Sequence, residues 1–263
     1  MNRIEQKFEA LRQNNQKAFI AFITCGYPNL NITEKLIIEF DRIGVDIIEL
    51  GVPFSDPMAD GPIIQESSQI ALEKKVHLID ILNLVSKVRK IINIPICLMT
   101  YYNPLFSFGE ERFVKKASLL GVDGIIVPDL PPEEGRHLIK LANIFNLSLI
   151  CFISPTTSLE RAKYISTIAK GFIYYVSLTG VTGPRSTLPS DLTAQLKIIK
   201  GITDKPLCVG FGVSSSKQVK EIYKICDGVI VGSAIIKKIK ENIKRPDLVK
   251  RVVDFVRVLK DVQ

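Results

Sequence analysis

The chain has 263 residues, 46% hydrophobic and 24% charged, with a formal net charge of +8, a balance that excludes a disordered or collagen-like chain and leaves a globular fold with a full core. Its apolar runs are far shorter than the roughly eighteen residues of a membrane helix, so no membrane is expected as a partner. Residues 1–16 (MNRIEQKFEALRQNNQ) mix acids with bases around no apolar centre, which excludes a signal or transit peptide and makes the cytoplasm the expected compartment.

The pattern predicts a short helix over about 2–14, then a strand at 18–24 (AFIAFIT) with Gly26-Tyr27-Pro28-Asn29 as its exit. An amphipathic helix follows at 32–43, capped by Thr33 or the asparagines before it, and strand 47–51 comes next. Helices at 62–74 and 78–92 precede strand 96–100, the loop 101–108 and helix 109–120. Strand 124–127 ends at Pro128-Asp129, and Pro131-Pro132-Glu133-Glu134 opens a helix over 132–146. Strand 147–153, helix 157–169 with Ser158 or a neighbouring threonine as cap, and strand 172–177 lead into a Gly/Pro/Thr-rich loop, 178–189. Helix 190–201, strand 207–210, helix 215–225, strand 229–231, a short helix after Gly232-Ser233 and a terminal helix at 247–261 complete the chain.

These are eight strand–helix units, with internal echoes. Gly44-Val45-Asp46, Gly121-Val122-Asp123-Gly124 and Cys226-Asp227-Gly228 each precede an Ile/Val run. Continuous apolar strands alternating with helices imply a parallel sheet covered on both faces. Eight units in this length predict one domain over residues 1–263, an α/β fold of the (β/α)8 TIM-barrel type with extra N-terminal and loop helices. The open, doubly wound alternative lacks its fingerprint, because Gly210-Phe211-Gly212 continues Val213-Ser214-Ser215 without the third glycine.

Five cysteines with no CxxC spacing read as small buried hydrophobes of a reducing compartment. Two histidines, His77 and His137, both in helical stretches, argue against a histidine metal site or a Ser-His-Asp triad, and no metal is expected. From Ile235 onward nine Lys/Arg face four Asp/Glu, yet Val249, Val252, Val253, Val256 and Leu259 recur at helical spacing. That reads as the solvated face of a terminal helix, and without basic–aromatic interleaving no nucleic-acid partner is expected.

One stretch stands apart: Ile47-Ile48-Glu49-Leu50-Gly51-Val52-Pro53-Phe54-Ser55-Asp56-Pro57-Met58-Ala59-Asp60-Gly61-Pro62. A glutamate near the carboxyl end of an aliphatic strand either faces solvent or sits in a cleft. The surrounding apolar pattern favours the cleft, where burial raises a carboxyl pKa into a useful range. Barrel active sites lie at the strands' carboxyl ends, which here collect Glu49, Asp60, Tyr101, Asp129 and Tyr174. Glycine-bearing loops follow the last three strands: Gly180-Val181-Thr182-Gly183, Gly210-Phe211-Gly212 and Gly232-Ser233. Each alone is compatible with an ordinary turn. Together, with a helix N-terminus after Gly232, they suit a phosphate cradle. No lysine lies near a strand's carboxyl end for a Schiff base, so general acid–base catalysis on a phosphorylated small molecule is the chemistry these groups suit.

The sequence Glu49–Pro62, Gly180-Val181-Thr182-Gly183, Gly210-Phe211-Gly212-Val213 and Val231-Gly232-Ser233-Ala234 resembles the tryptophan synthase alpha chain, in register over nearly the whole length. The resemblance implies retro-aldol cleavage of indole-3-glycerol phosphate to indole and D-glyceraldehyde 3-phosphate, the alpha reaction of L-tryptophan biosynthesis. It implies no cofactor on this chain, and a beta-chain partner carrying pyridoxal phosphate in an α2β2 assembly. Glu49 is then the acid/base, Asp60 the acceptor of the indole N–H, and Tyr174, rather than Tyr175, the active-site tyrosine. Phosphate binding carries over to Gly183, Phe211, Gly212, Gly232 and Ser233, and the 178–189 loop would close with Thr182 near Asp60. Phe22, Thr100 and Ile153 are pocket walls by strand position, or simply core. Asp56, Pro57 and Asp129 are assigned to the partner interface, although Asp56 also suits a cap within its loop and Asp129 an organiser of its own. The segment Pro184-Arg185-Ser186-Thr187 resembles plant and cyanobacterial variants, and the abundance of Ile, Lys and Asn suggests an A/T-rich genome, which sets the plastid stroma beside the cytoplasm if the chain is organelle-encoded. Two other readings are a free-standing indole-releasing lyase and a catalytically silent allosteric partner of a beta chain.

Overall fold

Apolar runs without polar alternation need cover on both faces, and the architecture supplies it. A computed structural model describes residues 1–176, 190–210 and 212–262. Among them are, in chain order, α1 Arg3–Gln13, β1 Ala18–Thr24, α2 Leu30–Arg42, β2 Ile47–Gly51, α3 Pro62–Glu73, α4 Leu78–Val88, β3 Ile96–Met99, α5 Tyr102–Phe108, α6 Glu110–Leu120 and β4 Gly124–Ile126. The remainder runs α7 Arg136–Ile144, β5 Ser148–Ile153, α8 Leu159–Ile168, β6 Ile173–Val176, α9 Ser190–Ile202, β7 Leu207–Gly210, α10 Ser216–Tyr223, β8 Gly228–Val231, α11 Ser233–Asn242 and α12 Leu248–Lys260. The eight strands are parallel and close in sequence order, β1 pairing with both β2 and β8, as expected of a (β/α)8 barrel.

The core has two parts. Ala18, Ile20, Ile47, Cys97, Ile126 and Ile150 fill the lumen, while residues of opposite parity meet the helices outside. Helix α1 plugs the lower mouth with Ile4, Phe8 and Leu11, and the Phe8 ring lies 5.7 Å from that of Phe172. The plug is pinned by Asn2, which caps α1 with Glu5 in a capping box and donates its side-chain amide to Asp123 O at 2.9 Å and Ser148 Oγ at 2.8 Å. All five cysteines are buried and unbridged.

The internal echoes acquire a physical meaning at the same end of the barrel. Asp46, Asp123 and Asp227 each accept the N–H that opens or nearly opens the preceding strand, from Phe19 at 2.8 Å, Ile96 at 2.9 Å and Leu207 at 2.9 Å. Each also donates its own backbone N–H to the carbonyl of that same residue, at 3.0, 2.8 and 2.9 Å. One aspartate thus locks two strands together without an intervening turn.

Some boundaries differ from the sequence reading. The 101–108 stretch is largely helical, because its first free amide, on Tyr102, is capped by the Asp129 carboxylate at 2.9 Å. Helix α7 begins at Arg136 rather than 132, since Glu134 and Gly135 both turn their N–H groups back to Pro131 O. Helix α2 starts at Leu30 under Asn29, not at 32, and Thr33 is buried, accepting the Gly26 N–H at 3.0 Å. No helix among the described residues is long and apolar enough to cross a membrane.

Candidate active site

Strand β2 carries Glu49 inward, in register with Phe22 on β1 and Cys97 on β3. It is only 1% exposed, and among the described residues neither carboxylate oxygen has a hydrogen-bond partner. Burial, and secondarily the charge of Asp60, pushes its pKa up to about 8. Beneath it the floor is neutral, because burial also lifts the thiols of Cys97 and Cys208 well above their ordinary range. An orphaned buried carboxyl of this kind destabilises the fold and is a mark of function rather than of packing.

Asp60 ends the loop that leaves β2. Its N–H closes a turn on Pro57 O at 3.1 Å, and its carbonyl receives Gln65 Nε2 at 2.8 Å. Burial raises its pKa to about 6, against the pull of a hydrogen bond from the Tyr101 hydroxyl. At neutral pH, then, Glu49 holds its proton while Asp60 is mostly ionised, a donor and an acceptor set apart by their surroundings.

Tyr174 points inward and packs on Phe152, ring centroids 4.9 Å apart, whereas Tyr175 points outward and donates to Gln195 Oε1 at 2.7 Å. Burial, with the charges of Glu49 and Asp60, holds the Tyr174 phenol well above its usual pKa, so it remains a donor. The ring lies so close over β7 that a Cβ on Gly210 would fall 2.6 Å from its hydroxyl oxygen. Phe22 lies likewise over Gly51 and Gly232 at the rim.

Two expected pocket walls are corrected by strand parity. Ile153 is packed in the layer between strands and helices, and Thr100, fully buried, shares the parity of outward-facing Leu98. Their neighbours Phe152 and Met99 face the lumen instead. Nothing in those all-apolar runs marks which parity is inward, so position along the strand alone was an insufficient guide.

Gly232 precedes α11 without any side-chain cap, which leaves the amides of its first turn free for an anion, with Ser233 as the first helical residue. Gly212 adopts φ +48°, a left-handed conformation that glycine accommodates without strain. Thr182, Gly183 and Phe211 lie outside the described residues, as does the 178–189 loop. Asp56 is exposed and accepts the Ser55 hydroxyl at 2.5 Å, Pro57 is half-buried, and Met58 between them and Asp60 is 81% exposed. Asp129 serves α5 as described, the loop-organising role weighed for it.

A closed (β/α)8 barrel with a protonated carboxyl and an ionised one at its carboxyl-end mouth, beside an anion-ready helix terminus, is equipped as an acid–base enzyme for small anionic substrates. The sequence profile described as "Tryptophan synthase alpha chain" matches residues 8–262. A tryptophan synthase alpha chain from Thermoanaerobacter pseudethanolicus is 42% identical over 262 residues, covering all of both chains. One from Geotalea uraniireducens is 46% identical, covering 99% of this chain and 97% of its own. The crystal structure of tryptophan synthase subunit alpha from Legionella pneumophila superposes with a TM-score of 0.93 at 36% identity, covering 100% of this chain and 98% of its own. The chain belongs to the tryptophan synthase alpha chain family, lyases that cleave indole-3-glycerol phosphate in tryptophan biosynthesis.

Proposed function

We propose that this chain cleaves indole-3-glycerol phosphate to indole and D-glyceraldehyde 3-phosphate, with Glu49 as the proton carrier. The observation that carries the reading is the buried, unpartnered carboxyl of Glu49 at the mouth of a barrel of this family. Protonated Glu49 delivers its proton to C3 of the indole, and Asp60 accepts the ring N–H and stabilises the positive charge that builds there. The resulting indolenine is the electron sink. Glu49, now charged, takes the proton of the hydroxyl on the glycerol carbon bonded to the ring, and that C–C bond breaks with its electron pair returning to the ring. Indole and the aldehyde leave, and Glu49 is again protonated. Tyr174 donates to the substrate from the lumen wall beside Phe22, Met99 and Phe152. The phosphate rests on the first-turn amides of α11 at Gly232 and Ser233, with Gly212 and, by sequence resemblance, Gly183 and Phe211 completing the cradle and Thr182 meeting Asp60 as the loop closes.

Every group this reaction requires is a side chain or an amide, so the chain itself carries no cofactor. The assembly is an α2β2 complex, with pyridoxal phosphate on the beta chain, and the compartment is the cytoplasm or its plastid equivalent. A tryptophan synthase complex from Pyrococcus furiosus contains a chain that superposes on this one with a TM-score of 0.84 at 35% identity, covering 92% of this chain and 97% of its own, which supports a beta-chain partner. Asp56 and Pro57, on the bend before Asp60, and Asp129, which follows β4 and caps α5, are the residues proposed to meet it. Purified protein given indole-3-glycerol phosphate should release indole, faster with a beta chain present. No release under either condition would leave only the catalytically silent partner.

A further inference from the structure

We infer that the cleft between α7 and α8 is a second binding site, separate from the barrel mouth, for a small neutral aromatic molecule of about the size of indole. The cleft has a volume of about 190 Å³ and lies on the outer side of β4 and β5, lined chiefly by Val127, Leu130, Ile139, Leu149, Cys151 and Ile165. None of its lining residues takes part in the proton transfer or phosphate binding proposed above.

The turn ahead of α7 opens it. Because Glu134 and Gly135 both give their N–H groups to Pro131 O, residues 131–135 curl back on themselves and the helix begins only at Arg136. Gly135 is drawn so near Leu130 that a Cβ on it would lie 3.3 Å from Leu130 Cδ2. Helix α7 packs on α6 and β5, and α8 on β5 and α9, but the strip of β5 between them is left partly uncovered. Leu149 marks the gap. It is half-exposed, whereas every other outward-facing residue of the eight strands is buried.

The walls select against charge. Arg161 at the rim is already engaged, its Nη1 and Nη2 donating to the two oxygens of Glu133 at 2.5 and 3.0 Å. Thr157 Oγ1 accepts the Ser154 N–H at 3.0 Å, and Pro131 O receives the two turn amides. Burial pushes the Cys151 thiol up to about 12, so it stays neutral. What remains of the wall is aliphatic, proline and Phe152. An ion entering here would lose hydration without gaining a partner, whereas an apolar ring gains contact with the strands on one side and the helices on the other. An apolar cavity of about 150 Å³ is enough to hold benzene, so this one has room for a fused ring pair. The Arg161–Glu133 pair spans the opening, and being solvent-exposed it costs little to swing aside.

Titration of the full chain with indole, its isoleucine and leucine methyl groups 13C-labelled, tests the site residue by residue. The NMR signals of Ile139, Leu149 and Ile165 should shift together and saturate with a Kd on the order of 1 mM or tighter, whatever the barrel mouth also binds. Cys151→Leu fills the cleft from the strand side and should weaken that binding about tenfold or more. Ile139→Phe fills it from the helix side, is read at Leu149 and Ile165, and serves equally if the first variant fails to fold. Indole-3-propionate, which carries the same ring with a carboxylate, should bind there about tenfold or more weakly. Unmoved methyl signals around the cleft, undiminished affinity in a folded, filled variant, or tighter binding of the propionate would each overturn the assignment.

Discussion

Glu49 is more favourably housed as an acid than as a carboxylate, and that has consequences for both activity and stability. With Asp60 titrating near 6 and Glu49 near 8, kcat/KM for indole release should be bell-shaped. The acid limb reflects loss of the Asp60 charge and the alkaline limb loss of the Glu49 proton, both being macroscopic values of a coupled pair. A profile flat across that range contradicts the assignment. For stability the sign is opposite to that of a salt-bridged carboxylate. The folded pKa lies above the unfolded value of 4.5, so the penalty is absent below that value, grows as pH rises, and is complete above about 8. Glu49→Gln should therefore stabilise the fold at about pH 8 by on the order of 1 kcal/mol or more, read as a raised thermal midpoint, and leave the midpoint nearly unchanged near pH 4. Tyr174 offers a second test at the same scale. Gly210→Ala would drive a methyl into its ring, and should lower kcat/KM about tenfold or more at a cost of about 1–3 kcal/mol in stability, measured by indole release and thermal melting. Glu49 was legible in the sequence because a lone acid on an aliphatic strand has few structural explanations. Met99 and Phe152 were not, because a strand buried on both faces carries no sign of which parity faces the lumen.

At the level of elements, α11 shows how a helix end becomes a binding site. Gly232 supplies no capping side chain, so the first-turn amides stay open. Ser233→Asp would place a carboxylate at that end, where the helix dipole favours it and a phosphate would have to displace or repel it. The expected result is an unchanged or raised thermal midpoint together with a KM for the phosphorylated substrate raised about tenfold or more, and an unaltered KM contradicts this site. The short helix α5 is not legible in the sequence for a related reason. Its cap comes not from its own neighbours but from Asp129, twenty-seven positions away, and no local pattern signals such a cap. The start of α7 is obscured differently, because the Pro131-Pro132 signal opens a tight turn ahead of the helix proper.

Across the whole molecule, the barrel end opposite the site is held by aspartates and the site end is left with unsatisfied groups. Asp123 is the most deeply set of the three strand-locking aspartates, 3% exposed and paired with Arg89 at 2.6 Å and Arg3 at 2.9 Å. Asp123→Ala should cost about 3 kcal/mol, because it removes a strand-end acceptor and leaves the largely buried Arg89 guanidinium without its carboxylate, and calorimetry should show a midpoint lowered by about 6–12 °C. The repeat of those aspartates at the heads of apolar runs, together with the count of strand–helix units, makes the closed barrel legible in the sequence. Closure order, lumen parity and the α1 plug are not, since each depends on which distant residues meet. The central claim is that Glu49 carries the proton, and the most direct test is indole release from indole-3-glycerol phosphate by the wild-type chain and by Glu49→Gln. The account predicts a loss of about a thousandfold or more in kcat, with the fold at least as stable as that of the wild type. Near-normal turnover by the glutamine variant would contradict it.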